Sequence, residues 1–133
     1  MGIRELTLLV LLPWCILVGC QVDRKKLDGS ISVSELIRSR DVFDGRPVVV
    51  HGWIEIDPET YRLWDDQGSM ISGSESANCV GVVVPSDIRR ARYDGKHVVV
   101  YGEFISSIIG KHIVLGGCKD RGFIFINRIE LSS

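Results

Sequence analysis

Hydrophobic and polar residues alternate with a period of two over much of the chain, which is typical of β-strands with one buried face. Residues 47–56 show the pattern most clearly. One face carries Val48, Val50, Ile54 and Ile56, and the other carries Val49, His51, Trp53 and Glu55. Gly52 interrupts the first face, which predicts a bulge or a sharp bend where another backbone comes close.

Five further segments have the composition or alternation of strands. They are residues 61–65, 79–84, 96–106, 113–115 and 123–131. Two short helices are expected between them. The S-x-x-E spacing from Ser32 to Glu35 predicts a helix that ends before Asp44-Gly45. A second helix, capped by Ser86 or Asp87, is expected to run through Tyr93, and Arg89, Arg90 and Arg92 make it locally basic. Residues 66–78 are rich in Gly and Ser and lack periodicity, so we expect a mobile loop there.

One ten-residue pattern occurs twice in similar form. Residues 43–52 match residues 93–102, which lie 50 positions later in the sequence. Each copy consists of an aromatic residue, an Asp-Gly turn, a basic residue and a bent, valine-rich strand. Two copies are too few for a solenoid, so the repeat indicates two similar local structures.

The predicted fold is mainly β. The order of elements matches a small five-stranded barrel of the OB-fold type, with a short N-terminal helix and a short helix between strands three and four. Residues 31–131 also resemble a widespread group of uncharacterised bacterial OB-fold-like proteins, through the short helix, the aromatic-Asp-Gly-basic turn and the V-x-V-x-G strand. The resemblance implies a fold and no established activity. Cys79 and Cys118 are not part of that pattern.

The N-terminus reads as an export signal. Residues 6–19 form an apolar run of 14 residues, whereas a membrane-spanning helix needs about 20, so a cleaved signal peptide is favoured. The end of this run together with the next residue, Leu17-Val18-Gly19-Cys20, resembles the lipobox of bacterial lipoproteins. The resemblance implies cleavage before Cys20, diacylglycerol on its thiol and acylation of the new N-terminus. The alternatives are an ordinary leader or a hydrophobic anchor with an incidental cysteine.

The resemblance to a lipobox implies a chain of three parts. Residues 1–19 are expected to be the signal peptide, residues 20–30 a polar lipidated tether and residues 31–133 the OB-fold-like domain. Several acyl chains would hold the protein stably on a membrane. Gln21 follows the cysteine where Asp would favour retention, and by resemblance to enterobacterial sorting this favours the outer membrane, facing the periplasm.

Charge and length narrow the function classes. Removing residues 1–19 leaves 114 of 133 residues, enough for one compact domain. It also removes Arg4 and Glu5, so the 16 basic and 17 acidic residues become 15 and 16. Proteins that bind nucleic acids usually carry a basic excess, so nucleic acid is an unlikely partner.

Two cysteines remain after the leader and the lipidated residue. In an exported protein, Cys79 and Cys118 are expected to form a disulfide, with two buried free thiols or a redox pair as alternatives. No zinc-ligand spacing is present. We expect His51 to be a half-buried barrel residue, and His97 and His112 to be solvated.

The sequence contains no catalytic constellation. Asp65 and Asp66 are adjacent, so on a strand they would point to opposite faces, and a turn after the second strand explains them better than a shared site. Neither G-x-S-x-G nor a phosphate-binding G-x-x-x-x-G-K-[ST] occurs. We therefore expect no catalytic residue, no metal and no cofactor.

A binding face is the remaining candidate. Aromatic rings there could stack on sugars or bases, next to basic side chains. The candidates are Trp53, Tyr61, Arg62, Trp64, Arg89 and Arg90, with Arg92 beside them. The alternative is that most of the aromatic residues fill the barrel or cover its end. The lipobox resemblance, the fold and the lack of a catalytic constellation favour a non-catalytic module that binds an envelope protein or glycan. An oligosaccharide or single-stranded nucleic-acid binder that uses these aromatic residues comes second, and a hydrolase or nuclease third.

Overall fold

The computed structural model describes residues 29–58, 61–73, 78–107, 118 and 121–132. These residues form β1 (Ile31–Ser32), α1 (Val33–Arg38), α2 (Arg40–Phe43), β2 (Arg46–Ile56), β3 (Tyr61–Trp64), α3 (Gln67–Ser72), β4 (Cys79–Val83), α4 (Arg90–Tyr93), β5 (His97–Ile105) and β6 (Phe123–Leu131). The predicted leader, Cys20, most of the predicted tether, His112 and the strand expected at 113–115 lie outside the described residues.

The strands close into a barrel. Their order is β2-β3-β4-β6-β5, and β5 pairs back onto β2. The β4–β6 pair is parallel and the other pairs around the barrel are antiparallel, while β1 adds a short parallel pairing to β2. A helix, α4, lies between the third and fourth barrel strands, as predicted. The predicted cap by Ser86 or Asp87 is wrong, because the helix begins only at Arg90 and its N-cap residue, Arg89, makes no side-chain cap hydrogen bond. The predicted OB-like fold is confirmed.

The core lies inside this barrel, where the alternation of residues places it. Along β2 every second residue from Val48 to Ile56 is buried, as the period of two predicts. Val33 and Leu36 of α1 are fully buried in the same core, so this helix covers part of the barrel with its apolar face. Each such side chain contributes about 1.5–3 kcal/mol by leaving water.

A side-chain cap sets the start of α1. Ser32 begins α1, because its Oγ accepts a hydrogen bond from the backbone N–H of Glu35 at 3.1 Å, as the capping-box spacing predicted. The helical region has two parts, since Ser39 ends α1 and α2 follows it before Asp44.

The prediction of a mobile loop at 66–78 is wrong for residues 67–72, which form α3. Asp66 caps this helix by accepting from the N–H of Ser69 at 2.7 Å and from its hydroxyl at 2.8 Å. Gly73 ends the helix with φ of 65°, a left-handed conformation that glycine adopts without strain. The Asp66 cap and the terminal Gly73 thus define a helix in a segment that shows no hydrophobic periodicity.

The repeated segments are related by a local two-fold arrangement. In the antiparallel β2–β5 pair, Val50 lies opposite Val100, so residues 50 positions apart in sequence are partners at the centre. Each strand therefore meets its own copy running in the opposite direction.

The Asp-Gly turns extend this symmetry. Asp44 accepts a hydrogen bond from the N–H of Ser106 at 2.8 Å, and Asp94 accepts one from the N–H of Ile56 at 2.7 Å. Gly45 donates to Phe104 O and Gly95 donates to Ile54 O, both at 2.8 Å. Each turn thus holds the far end of the other copy's strand.

The repeated glycines bring neighbouring strands close. A Cβ atom on Gly52 would lie 2.6 Å from the carbonyl oxygen of Trp64, so the predicted close approach is confirmed. The β2–β5 register continues unbroken through Gly52, and hence no bulge lies there. The irregularity is instead at the second copy, where the β5–β6 register shifts between Tyr101 and Gly102.

Candidate functional site

The residues predicted to form one binding face are divided between separate surfaces. One group surrounds Trp64 on the outside of β3 and β4. A second pair joins Tyr61 to Arg90. Arg89 and Arg92 line a third region, a concavity whose other lining residues were not predicted from the sequence.

Trp64 is covered rather than displayed. Its side chain is fully buried against Cys79 and Cys118, with Trp53 and Met70 packed around them. Its indole N–H donates to Glu55 Oε1 at 3.3 Å. Because the ring is enclosed, it offers no surface for stacking on a sugar or base. For Trp64 the structure therefore supports the alternative, in which the ring is packed within the protein and does not contact a ligand.

Cys79 and Cys118 form the predicted disulfide. Their Cα atoms lie 5.9 Å apart, a normal separation for a crosslink. Both residues are buried, and the bond holds Cys118 over the outer side of Trp64. The crosslink therefore closes the surface of β3 and β4 on which an OB barrel commonly receives its ligand.

Tyr61 and Arg90 form a separate contact at the start of β3. Arg90 Nη1 donates to the Tyr61 hydroxyl, and the guanidinium carbon lies 5.0 Å from the ring centroid. This stacked pair ties α4 to β3. Arg62 lies on the other side of the strand, with its guanidinium carbon 5.8 Å from the Trp64 ring.

The adjacent carboxylates serve two different helices. Asp65 Oδ1 accepts from the backbone N–H of Ser34, in the first turn of α1, at 3.1 Å. Asp66 caps α3, and its hydrogen bonds with the backbone and hydroxyl of Ser69 lower the pKa of the Asp66 carboxyl. The two side chains do not share a site, as predicted from the sequence. Each accepts a hydrogen bond from a backbone N–H group in the first turn of a helix, which would otherwise lack a partner.

The histidines lie side by side on the outer face of β2 and β5. His51 is half-buried, as predicted, but His97 is also half-buried and not solvated. The His97 ring contacts Trp53 edge-on with centroids 5.3 Å apart, lies 5.8 Å from the His51 ring and bonds through Nδ1 to the Ser132 hydroxyl. Burial, and to a lesser degree the charge of His51, lowers the pKa of His97.

An open concavity lies between α4 and β6. Its volume is about 300 Å³, and it is lined by Asp87, Ile88, Arg89, Arg92, Tyr93, Asn127, Arg128 and Ile129. The arginines of α4 and its N-terminal flank were noted from the sequence as a basic helix. Their partners on β6 were missed, because only the barrel's closure brings residues 127–129 to this helix.

Arg128 is held in place at the rim of this concavity. Its guanidinium carbon lies 4.0 Å from the Tyr101 ring centroid, and its Nη2 lies 3.4 Å from Glu130 Oε1. The Tyr101 hydroxyl donates to the other oxygen of Glu130 at 3.1 Å. These three side chains form a connected group on the outer face of β5 and β6.

A scan against protein-family models and a search of curated proteins found no match for this chain. In the part of the chain that the structure describes, no helix is long and apolar enough to cross a membrane. Among the same residues, no three His, Cys, Asp or Glu side chains are grouped so that they could hold a metal ion.

Proposed function

We propose that this protein is a bacterial lipoprotein, anchored in the outer membrane and facing the periplasm, whose OB-like barrel is a non-catalytic binding module of the cell envelope. The observation that carries the proposal is the apolar run of residues 6–19 followed directly by Cys20, which gives the sequence Leu17-Val18-Gly19-Cys20 at the junction. The length of the run suits a cleaved signal peptide, and Cys20 offers the thiol that lipidation needs.

The disulfide supports export. Bonds of this kind persist in oxidising compartments such as the periplasm and are rare in the cytosol. Cys79 and Cys118 are 39 residues apart in sequence and meet in the fold. A domain that folds with this crosslink is suited to the environment to which the leader would direct it.

The positions of the acidic residues support a binding role without catalysis. Asp65 and Asp66 are the paired carboxylates that the sequence offered for acid–base or metal chemistry, and each is engaged at the start of a different helix. General acid–base catalysis needs groups that converge on one substrate. This pair instead organises the scaffold.

The test of the anchor is a comparison of the wild type with Cys20→Ala in a bacterial host. We expect the wild type to incorporate a labelled fatty acid and to fractionate with the outer membrane, and the variant to lose both properties. Cys15→Ala is the matched control, because it removes a leader cysteine that would be cleaved away, and it should behave as the wild type. A wild-type protein that is neither labelled nor membrane-bound would overturn the proposal.

The binding role needs a separate test. Crosslinking in intact cells should trap a discrete envelope protein, or enrich a defined glycan, with the wild-type chain. A repeated failure to recover any partner from membrane-anchored protein would contradict the role while leaving the anchor in place.

A further inference from the structure

We propose that the concavity between α4 and β6 is a binding site for the phosphate group of a small molecule. The proposal deepens the binding role above, since it assigns that role a surface and a ligand class. It does not depend on membrane anchoring.

The backbone of β6 is arranged to present side chains to this site. In the β5–β6 ladder Tyr101 pairs with Arg128, whereas Gly102 pairs with Ile126, so Asn127 is an extra residue without a partner on β5. Such a bulge redirects side chains and is frequent next to functional sites. Here it places the exposed Asn127 in the lining of the concavity, opposite the arginines of α4 and its N-terminal flank.

The charge of the lining favours an anion. Arg89, Arg92 and Arg128 are all exposed, against a single lining carboxylate, Asp87. Within the described residues Arg128 is paired with Glu130, but neither Arg89 nor Arg92 forms an ion pair with a carboxylate. The guanidinium carbon of Arg92 lies 5.7 Å from the centroid of the uncharged Tyr93 ring. Two guanidinium groups therefore remain available for a ligand.

The donor set matches phosphate chemistry. A guanidinium presents a planar fork of N–H donors that can bind two phosphate oxygens at once. The Asn127 side chain adds an amide with two N–H donors. Two available guanidinium charges next to one carboxylate suit an anion that carries one to two negative charges.

The size and the floor of the site indicate a small ligand. A volume of about 300 Å³ is at the lower end for small-molecule pockets and suits a phosphate with a short organic group. Ile88, Tyr93 and Ile129 supply apolar lining for that group. Free phosphate esters and lipid headgroups share this chemistry.

The test is calorimetric titration of the full chain, in neutral detergent micelles, with inorganic phosphate and with glycerol 3-phosphate. We expect saturable binding at one site, tighter for the ester. Arg89→Gln and Arg92→Gln should each weaken binding about tenfold or more, the size expected for a charged hydrogen bond. Asn127→Ala should weaken it about threefold.

Two controls make the result specific. Arg38→Gln removes an exposed arginine of α1 that does not line the concavity, and it should leave the affinity unchanged. Arg89→Lys and Arg92→Lys keep the charge but lose the fork, so each should bind with intermediate affinity. Thermal unfolding of each variant establishes that the fold is intact.

Phosphatidylglycerol added to the micelles separates the two ligand sources. Competition with inorganic phosphate identifies a lipid headgroup, and its absence identifies a free phosphate ester. The proposal is overturned if no saturable binding occurs, or if Arg38→Gln weakens binding as much as Arg89→Gln does. Failure here would leave the Cys20→Ala fractionation result intact, so the two proposals can fail separately.

Discussion

The two copies of the repeated segment build the same scaffold but border different surfaces. Beside Gly52 the approaching carbonyl belongs to Trp64, whose ring is sealed beneath the disulfide. Beside Gly102 it belongs to Phe125, which comes just before the bulge that exposes Asn127. The repeated residues thus determine how the strands meet. Residues outside the repeat decide whether the adjoining surface is closed or open.

This difference suggests that the two surfaces of the barrel have different roles. The closed surface corresponds to the face on which OB barrels commonly bind ligands, and here it is occupied by the protein's own side chains. The open concavity lies next to the other copy and carries the available arginines.

Removing the crosslink should have the largest effect. The double variant Cys79→Ala/Cys118→Ala releases a loop of 39 residues, and the chain-entropy model gives a loss of about 4 kcal/mol in the free energy of unfolding. Because Trp64 is buried in one cluster with both cysteines, its fluorescence emission should also shift to longer wavelength. Urea denaturation followed by tryptophan fluorescence measures both quantities.

The reduced wild type is the matched comparison for that variant. It should show the same loss of stability and the same emission shift. An unchanged free energy of unfolding would mean that packing alone closes this side, and the contrast between the two surfaces would not depend on the disulfide.

The repeated glycines should be nearly equally sensitive. Gly52→Ala and Gly102→Ala each place a Cβ atom against a backbone carbonyl, which cannot move away as a flexible side chain could. We expect each to lower the free energy of unfolding by about 3 kcal/mol. Gly68→Ala in α3 is the control, because its Cβ would lie 3.4 Å from the nearest atom, Asp66 Oδ1, and alanine favours helix.

A large difference between the two glycine variants would show that the copies are not equivalent. If Gly102→Ala proved much milder, the bulge at Asn127 would be absorbing the strain. Chemical denaturation of the three variants under the same conditions decides this.

The Asp44 and Asp94 side chains should contribute unequally to the free energy of unfolding. Asp94 makes its hydrogen bond to Ile56 in a partly buried position, whereas Asp44 bonds Ser106 at an exposed one. We expect Asp94→Ala to cost about 2 kcal/mol and Asp44→Ala about 1 kcal/mol. Because these two hydrogen bonds lie at opposite ends of the β2–β5 pair, the double variant should lose the sum of the two free energies. A clear departure from additivity would indicate that the ends are coupled.

Much of the scaffold could be predicted from local sequence patterns. The alternation in residues 47–56, the cap at Ser32 and the repeated Asp-Gly turns are local signals, and each produced the expected element. The helix at 67–72 escaped because a six-residue helix has too few turns to show a period, so its only signals were an Asp cap and a terminal Gly. The half-buried state of His97 was missed because Ser132, which bonds its ring, is 35 positions away.

The candidate sites were less predictable for a related reason. Trp64 was placed on the correct strand, but its burial depends on Cys118 and Met70, which reach it only through the fold. Asn127 gave no signal at all, because a bulge is a property of two paired strands. Arg89 and Arg92 were recognised as a basic cluster, and only the barrel's closure showed which side chains face them.

The smallest expected effect is a pH dependence from His97. Its pKa lies below the ordinary value of 6.5, chiefly because burial disfavours the charged ring and also because His51 is close. The unfolded chain therefore takes up this proton first as the pH falls. The stabilisation is complete above pH 6.5 and decreases as the pH falls below that value towards the lower pKa of the folded state. Urea midpoints between pH 8 and pH 5 should show this decline in the wild type.

Two variants identify the origin of that decline. His97→Asn keeps an acceptor near the Ser132 hydroxyl but cannot be protonated in this range, so its midpoint should decline less with falling pH. His51→Asn removes the neighbouring charge and leaves the burial of His97, so it should reduce the decline only slightly. Equal declines in the wild type and His97→Asn would show that the half-buried ring does not control this part of the stability profile.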